Sequence, residues 1–418
     1  MAPKSSFQKI LRQFACADYV ALLRVNRNYR LYVISHMCQH AGDWFVRIAA
    51  LISVQRITAG SATALSIVVM CRTIPELALA PFGGILADTF DRRNVMIKLD
   101  LLAALSVCLF IQAVKANSIH LLYLATVIRS IISATYMPIT GAIVPQIIVS
   151  GKEDLKRAAT LNGMIWSGML VIGGVVAGGA SARFGVEVCY VIDILTFIIS
   201  AVIMSGVSGN FLADADVDNP PQDTKGNDKE TIAVKMLAPL CTLYQMKKEL
   251  ILYLWYSGFG ALVFLKASGC FIWGAADILN VSFSHIENDE AESSRRMGAL
   301  YSSIGIGCLI GPIVANSTIV DGKKPATLQL AILFGLAMMT IGWLGVASNA
   351  SSFKLVCFFT GIRTVGSSLI WLFSTLLMQV RPIAFFASVL NLLLLHLSTL
   401  SLIINSLPPT RTLLAQKY

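Results

Sequence analysis

The chain has 418 residues, of which 56% are hydrophobic and only 13% are charged, and its formal net charge is +10. A soluble chain of this size needs a far more polar surface, so the composition excludes a soluble globular protein and predicts one that crosses a membrane several times. The basic residues cluster between apolar segments and form no runs interleaved with aromatic residues, which excludes nucleic acid as a partner.

Residues 1–30 form the first segment, and they combine many basic side chains with regularly spaced apolar ones. The basic residues are Lys4, Lys9, Arg12, Arg24, Arg27 and Arg30, set against the single acidic residue Asp18. The apolar residues at helical spacing are Phe7, Ile10, Leu11 and Phe14. The pattern predicts a basic amphipathic helix, which either lies on an anionic membrane surface or belongs to an organelle transit peptide.

Long apolar runs follow, each close to or above the ~20 residues that a helix needs to cross the hydrocarbon core of a bilayer. Six of them lie at 31–56, 61–87, 95–116, 120–149, 160–182 and 186–207. Five more lie at 250–278, 297–316, 326–347, 353–380 and 382–404. The predicted fold class is therefore all-α, a polytopic membrane protein with about 11 transmembrane helices.

Residues 208–248 differ from these runs because they are polar, charged and rich in Pro and Gly. We predict that they form a linker between two helical bundles, at 31–207 and 249–404, with a tail at 405–418.

Basic residues concentrate in the linker and in other segments on the side of the N-terminus, which places that side in the cytoplasm. The predicted location is an integral, multi-pass one, with the plasma membrane favoured over an organelle membrane.

A short charged connection joins the second and third predicted helices, and it contains Gly84, Asp88, Arg92 and Arg93. Gly84 is predicted to permit close approach of a neighbouring backbone, Asp88 to take a helix-terminal position, and the arginines to be held in the cytoplasm. The spacing of these four residues resembles a loop signature of the major facilitator superfamily of secondary transporters. The resemblance implies two pseudo-symmetric helical bundles, with this connection acting as a cytoplasmic latch during alternating access.

Further stretches resemble one branch of that superfamily, the enterobactin-exporter and macrolide-efflux proteins. They are Asn28-Tyr29-Arg30-Leu31, Gly42-Asp43-Trp44-Phe45, Pro81 to Asp88, and Asp193-Ile194-Leu195-Thr196-Phe197. The resemblance does not transfer a substrate, and we predict export of a small amphiphilic or anionic solute by alternating access, in exchange for protons. The implied partners are a small-molecule substrate, protons and membrane lipid, and no cofactor is implied.

Small residues are concentrated in the fifth predicted helix, where they let neighbouring helices pack closely in lipid. Gly173, Gly174 and Gly178 lie in a stretch that resembles the glycine- and proline-containing motif of superfamily antiporters, with Gly174 where proline is usual. Gly311 and Pro312 belong to a similar cluster in the second half of the chain. We expect these five residues to serve helix packing or a hinge.

Ionisable residues inside the predicted helices indicate the transport path, because each costs at least ~2.5 kcal/mol at the bilayer centre unless it is paired or faces water. Asp43 and Arg47 lie four residues apart in the first helix, and Arg72 and Glu76 do so in the second. Both spacings allow an ion pair within one helix. We expect these pairs either to line the central cavity or to neutralise each other near a helix end.

Five further ionisable residues lie inside predicted helices, and they are Arg129, Asp193, Lys266, Asp277 and Arg363. Lys266 and Asp277 are eleven residues apart, close to three turns, and therefore share a face of their helix. The three basic residues have no acidic partner within four residues, which favours pairing between helices or contact with an anionic substrate. The carboxyl groups of Asp43, Glu76 and Asp193 are those we expect to bind the coupled protons.

Other functions fit the sequence less well. The sequence shows no nucleophile beside a base, no metal-ligand cluster and no phosphate-binding loop, so we predict neither an enzyme nor a metal site. A facilitator or importer of a small organic solute is one alternative. A transport-inactive membrane scaffold or regulator is another, because the twelfth helix expected of the superfamily is missing or atypical.

Overall fold

The computed structural model describes residues 16–148, 151–212, 259–286, 289–317 and 325–380, and the regular structure in these ranges is entirely α-helical. The helices within them are α1 (Cys16–Val25), α2 (Arg27–Thr58), α3 (Ala62–Thr89), α4 (Arg92–Lys115), α5 (Ile119–Ile147), α6 (Lys152–Phe184), α7 (Val186–Ser205), α8 (Phe259–Ser284), α9 (Glu290–Ser317), α10 (Pro325–Ser348) and α11 (Phe353–Val380). In this described part, seven helices contain a segment long and apolar enough to cross a membrane. The prediction of an all-α polytopic membrane protein is confirmed.

The predicted membrane spans correspond to α2 through α11, apart from the last one at 382–404, which lies outside the described residues. The main difference is in length. Helix α6 begins at Lys152 where the sequence predicts 160, and α8 ends at Ser284 where it predicts 278. Polar residues beside an apolar run can continue the helix beyond the hydrocarbon core, so hydropathy alone underestimates its length. The predicted linker is described only to Leu212, and the predicted tail lies outside the described residues.

Helix α1 covers part of the predicted amphipathic segment and packs against the bundle. Its Leu22 is buried in the same apolar cluster as Tyr29 of α2. Asn26 lies between the two helices, where its side chain accepts a hydrogen bond from the amide of Tyr29 at 2.9 Å. The same side chain donates to the carbonyl of Ile147 at 3.0 Å. The asparagine therefore caps α2 and ties its start to the end of α5.

The described residues divide into two compact units. The first comprises the described parts of Phe14–Lys247 together with Ser284–Gly298, so it holds α1 to α7 and the first part of α9. Within it, α2 packs against α6 and α7, α3 against α5, and α4 against α5 and α7. An apolar core fills the space between these helices and leaves buried positions for a few charged side chains.

The second unit comprises the described parts of Lys248–Phe283 and Ala299–Tyr418. In it, α10 packs closely against α11. The backbones are so near that a Cβ atom on Gly342 would lie only 2.6 Å from the amide nitrogen of Arg363. Gly311 of α9 makes a similarly close approach to the side chain of Ser368. Glycine at such positions lets helices in lipid touch backbone to backbone. The side chain of Pro312 lies outside the described residues.

The glycines of α6 that the sequence analysis selected also lie at close contacts within the first unit. A Cβ atom on Gly173 would lie 2.7 Å from the ring of Trp44 on α2. One on Gly178 would lie 2.7 Å from the carbonyl oxygen of Ser294 at the start of α9, and the carbonyl of Gly174 faces the same helix. These positions therefore have a packing role that any larger residue would disturb.

The connection between α3 and α4 consists of Phe90 and Asp91. The Asp91 side chain accepts hydrogen bonds from the amide of Arg93 at 3.2 Å and from the side chain of Asn94 at 2.7 Å. It therefore caps the start of α4, where unpaired amides favour a negative charge. No role is predicted for Asp91 from the sequence.

The chain leaves the first unit beside this connection. The amide of Phe211 donates to the Asp91 carboxylate at 3.4 Å, and the carbonyl of Phe211 accepts from the amide of Arg92 at 3.4 Å. The side chain of Gln146 donates to the carbonyl of Leu212 at 3.0 Å. Residues 211 and 212 are thus hydrogen-bonded to the α3–α4 connection and to the end of α5.

The close approach predicted at Gly84 occurs instead at Gly83. A Cβ atom on Gly83 would lie 2.9 Å from both the carbonyl oxygen of Ala134 and the Cγ atom of Pro138 on α5. A Cβ atom on Gly84 would have no atom within 4 Å. Successive helical residues point about 100° apart, so two adjacent glycines cannot both face α5. The prediction for Gly84 is wrong by one residue.

The substitutions Gly83→Ala and Gly84→Ala should therefore affect stability in opposite directions. The new methyl group at position 83 would overlap α5, so we expect the free energy of unfolding to fall by about 1–3 kcal/mol. At position 84 the methyl group has open space, so we expect a gain of about 0.5–1 kcal/mol from the lower backbone entropy cost. Thermal unfolding of both purified variants in detergent measures the difference, and identical midpoints would contradict the contact at Gly83.

Candidate functional site

An ion pair joins α2 and α5. The carboxylate of Asp43 accepts a short hydrogen bond from the guanidinium of Arg129. That guanidinium also lies 4.3 Å from the ring centre of Phe197 on α7. The Arg129 side chain is 14% exposed and that of Asp43 is 48% exposed, so the arginine faces the interior while the aspartate has access to open space. Asp43, for which the sequence predicts a partner in its own helix, is therefore bonded across helices.

Asp193 of α7 lies close to this pair and is completely buried, at 0% exposure. Neither of its carboxylate oxygens has a hydrogen-bond partner among the described residues. Gly42 makes room for it, because a Cβ atom at that position would overlap both Asp193 Oδ1 and the hydroxyl of Thr196. The charge of Arg129 acts on Asp193 through space. A buried carboxylate without hydrogen bonds is costly to ionise, so it needs either this cation or a proton.

Asp100 of α4 is a second buried carboxylate, and the sequence analysis missed it. Its oxygens accept hydrogen bonds from Gln39 Nε2 at 2.6 Å and from the hydroxyl of Ser200 at 2.8 Å. Gln39 also makes a short contact with the hydroxyl of Tyr136 on α5. The side-chain amide of this α2 residue therefore contacts both α4 and α5. Asp100 could have been found in the sequence, because it is an ionisable residue inside the apolar run predicted at 95–116, as the other selected residues are in theirs.

Aromatic rings line one face of α2 on the N-terminal side of Asp43. The rings of Tyr32 and His36 stack with centroids 5.4 Å apart, and those of His36 and His40 meet edge to face at 4.2 Å. The two histidine Nε2 atoms are 3.0 Å apart, and Nδ1 of His40 lies 3.9 Å from Oδ2 of Asp43. Neither histidine is among the residues predicted from the sequence, although their spacing of four residues inside an apolar run places them on one helix face.

The other predicted residues of the first unit lie on α2 and α3 and make contacts of their own. The guanidinium of Arg47 lies 5.2 Å from the ring centre of Trp44. The carboxylate of Glu76 accepts a hydrogen bond from the hydroxyl of Ser133 at 3.3 Å. The backbone carbonyl of Arg72 accepts a short hydrogen bond from another serine of α5. Both members of the predicted Arg72–Glu76 pair therefore contact α5.

The second unit contains its own buried charges. The hydroxyl of Tyr301 donates a hydrogen bond to Asp277 Oδ1 at 3.1 Å. The guanidinium of Arg363 is buried 4.4 Å from the ring centre of Trp343, and the charge of Asp277 acts on it. Lys266, which the sequence predicts to share a face with Asp277, has its side chain outside the described residues. A cation and an anion of this unit are thus buried within electrostatic reach of each other.

The predicted latch residues form a bonded group at the α3–α4 connection. Nε of the buried Arg92 donates to the carbonyl of Ala87 at 2.8 Å. The same guanidinium reaches the carbonyl of Ala142 at 3.4 Å and the carboxylate of Asp88 at 3.5 Å. Arg93 donates to a carbonyl near the end of α7. The two arginines therefore link the α3–α4 connection to α5 and α7.

A cavity of about 500 Å³ lies apart from all these residues, near the C-terminal end of α2. Its lining residues are Ile52, Gln55, Arg56, Ala59, His285, Ile286, Asp289, Glu290 and Ser293. Arg56 forms ion pairs there with Glu187 at 3.7 Å and with Glu290 at 4.0 Å. Across the described ranges, no three or more His, Cys, Asp or Glu side chains meet in a metal-binding arrangement.

Comparison with known proteins places these observations in a family. The family model described as Major Facilitator Superfamily matches residues 32–400. The staphyloferrin A transporter of Staphylococcus aureus is 25% identical over 179 residues, which are 42% of each chain. Macrolide efflux protein A of Streptococcus pyogenes is 26% identical over 148 residues, 35% of this chain and 36% of that one. The chain spans less than half the length of the curated relatives that it matches.

Solved structures share the arrangement of helices. A crystal structure of a peptide transporter superposes with a TM-score of 0.61 at 12% sequence identity, and the match covers 91% of this chain and 88% of that one. Identity this low reports the fold and leaves the solute open.

Proposed function

The chain belongs to the Major Facilitator Superfamily and is a membrane transporter of that type, and from this we propose that it exports a small amphiphilic or anionic solute in exchange for protons. Export would occur by alternating access between two helical bundles, at 31–207 and 249–404, joined by the linker at 208–248. The plasma membrane is the proposed location.

The proposed solute class rests on the relatives and on the buried cations. The similar proteins include a macrolide efflux protein and a transporter of staphyloferrin A. In this chain, Arg129 and Arg363 lie against aromatic rings, which is an environment that suits an amphiphilic molecule with an anionic group. Arg129 in the first unit and Arg363 in the second are therefore the proposed substrate contacts.

One observation carries the proposed coupling to protons: Asp193 is buried without a hydrogen bond beside a cation that is already bonded to Asp43. Two carboxylates compete for the single guanidinium of Arg129. The carboxylate that is not paired is expensive to keep ionised in the interior, and a proton removes that cost. We propose that a proton is bound and released as Arg129 changes its partner between Asp43 and Asp193.

The substitution Asp193→Asn tests this coupling. The asparagine keeps the size of the side chain but cannot release a proton, so we expect the response of export to an imposed pH gradient to fall by at least about tenfold. Exchange of labelled for unlabelled solute across the same vesicles needs no net proton movement and should persist. The measurement uses inverted vesicles and a panel that includes staphyloferrin A and macrolides.

Asp154→Asn is the matched control, because Asp154 lies at the start of α6 and bonds to Arg157 at 2.9 Å, away from the Asp43–Arg129 pair. It should leave the response to the pH gradient unchanged. If wild-type transport itself ignores the gradient, the antiport proposal fails and a facilitator or importer replaces it. If Asp193→Asn responds like wild type, Asp193 is not the coupling residue.

A further inference from the structure

The histidine pair on α2 is not used by the function proposed above. Helix α2 has 32 residues, and Asp43 lies near its middle. His40 and His36 follow from Asp43 toward the N-terminal end of the helix, and the shift from Asp43 to His36 covers about 10 Å at 1.5 Å per residue. His36 and His40 are partly buried, and Tyr32 continues the row as a buried ring.

The distance between the two rings constrains their protons. Their Nε2 atoms are 3.0 Å apart, which is a hydrogen-bond distance. Two neutral nitrogens at this distance form a bond only if one carries the hydrogen and the other offers its lone pair, so the pair shares one proton. The outer nitrogens of the two rings are their Nδ1 atoms. Nδ1 of His40 lies on the Asp43 side, and Nδ1 of His36 is buried with no hydrogen-bond partner among the described residues.

We propose that His40 and His36 form the route by which a proton leaves Asp43 toward the N-terminal end of α2. The inference rests on the proposed antiport and adds the path that the released proton follows. With the N-terminus in the cytoplasm, as the basic residues of the loops predict, this path leads to the cytoplasm. An exporter driven by proton entry needs such an exit on that side.

The transfer balances as three linked steps. Protonated Asp43 gives its proton to Nδ1 of His40, and His40 gives the hydrogen on its Nε2 to Nε2 of His36. His36 then releases the hydrogen on its Nδ1, which is buried in this structure, to water that enters when the transporter opens to the cytoplasm. Asp43 ends as a carboxylate, and both rings end neutral with their hydrogens on the opposite nitrogens. The starting arrangement returns when each ring loses that hydrogen and is protonated again on its other nitrogen.

The Asp43 side chain controls when the first step can occur. It is bonded to Arg129, and its other oxygen lies 3.9 Å from His40, beyond hydrogen-bond distance. Protonation weakens the ion pair with Arg129, and the side chain is then free to turn toward His40. The path is therefore closed while Asp43 and Arg129 are paired, which prevents a proton leak.

The groups around the histidines are consistent with a neutral relay. Asp43 is the charged group that acts on His40, and His36 is influenced by His40 and by the amide of Gln39. Tyr32 is the titratable neighbour on the N-terminal side, and its ring stacks on that of His36. From α4 and α5, Asp100 and Tyr136 approach this part of α2 through their bonds to Gln39.

The first test uses the full chain in detergent with ¹⁵N-labelled histidine and needs no solute. We expect a scalar coupling through the hydrogen shared by the two Nε2 atoms, and we expect His40→Gln to change the titration of His36. Asp43→Asn should change the titration of His40. His120→Gln is the matched control, because His120 lies on α5 beside Tyr123 and should alter neither ring. Independent titration of His36 and His40 would overturn the relay.

The second test separates the relay from a structural role. In vesicles, His36→Gln and His40→Gln should each lower the transport of staphyloferrin A or erythromycin driven by a pH gradient by at least about tenfold. Solute exchange without a gradient should stay within about twofold of wild type, since it bypasses proton release. An equal fall in both modes would mean a structural role and would overturn the relay.

The two proposals fail in different ways. A wild-type protein that ignores the pH gradient overturns antiport and the relay together. A wild-type protein that responds to the gradient, with histidine variants that respond equally, overturns the relay alone. If neither solute moves, the proposed solute class is wrong, and the magnetic resonance measurement on the protein by itself still decides whether the rings share a proton.

Discussion

Replacing Arg129 with glutamine should abolish transport and cost about 3–5 kcal/mol in the free energy of unfolding, the range found when a buried charge is left without its counter-ion. The loss is large because one guanidinium serves two carboxylates. It is bonded to Asp43 and is the positive charge acting on the fully buried Asp193. Thermal unfolding in detergent and solute transport in vesicles measure the two effects.

Second substitutions show where the effect of Arg129→Gln arises. Adding Asp193→Asn should recover part of the lost stability, since the carboxylate left without a cation is then gone, but it should not recover transport. Arg129→Lys keeps the charge but loses the planar contact with Phe197, so we expect partial activity.

Arg183→Gln provides the matched control for the arginine at position 129. Arg183 also lies against an aromatic ring, that of Phe184 at 6.0 Å, but it is exposed at the end of α6. Its replacement should change the stability by less than about 0.5 kcal/mol. A loss of stability at Arg183 equal to that at Arg129 would contradict the role given to Arg129 as counter-ion of the buried Asp193.

The second large effect is expected at the α3–α4 connection. Arg92→Ala should lower the stability by about 3 kcal/mol, because it removes the buried guanidinium that donates to the carbonyls of Ala87 and Ala142. Transport should fall strongly, because the arginine joins the connection to α5. Unfolding midpoints and vesicle transport of the purified variant measure both effects.

Arg93→Ala is the natural comparison, since it removes an arginine from the next position. Arg93 is more exposed than Arg92 and its hydrogen bond is to a single carbonyl of α7, so we expect a loss of less than about 1 kcal/mol. A larger effect at Arg93 than at Arg92 would mean that the buried guanidinium is not the main link.

The helices and the α3–α4 connection could be predicted because the signals are local. Membrane spans follow from the length of apolar runs, and the charged residues between two runs mark a tight connection. The superfamily resemblance also rested on local spacing, and the family match over residues 32–400 confirms it.

The partners of the charged residues could not be predicted, because they depend on how helices are rotated against each other. Asp43 has Arg47 four residues away in the sequence, yet its bond to Arg129 spans 86 positions. Gly83 and Gly84 differ by one position, and one of them contacts α5. A one-dimensional pattern fixes neither rotation nor depth, so it identifies the ionisable residues and leaves their pairing open.

Asp100 is a different case, since its position inside an apolar run was visible and the rule for buried charge applied to it. The sequence did not show that hydrogen bonds from neutral donors offset the free-energy cost of burying this carboxylate. The donors are Gln39 and Ser200, which come from two other helices. Amides and hydroxyls at such positions resemble ordinary helix residues until the helices are packed together.

The attachment of residues 211 and 212 to Asp91, Arg92 and Gln146 has a practical consequence. A fluorophore placed at Leu212 would sit where the polypeptide departs from the first unit, within reach of the same contacts that hold the two arginines. Its emission should respond when those contacts separate. A label at this position would therefore report conformational changes of the transport cycle without requiring a known solute.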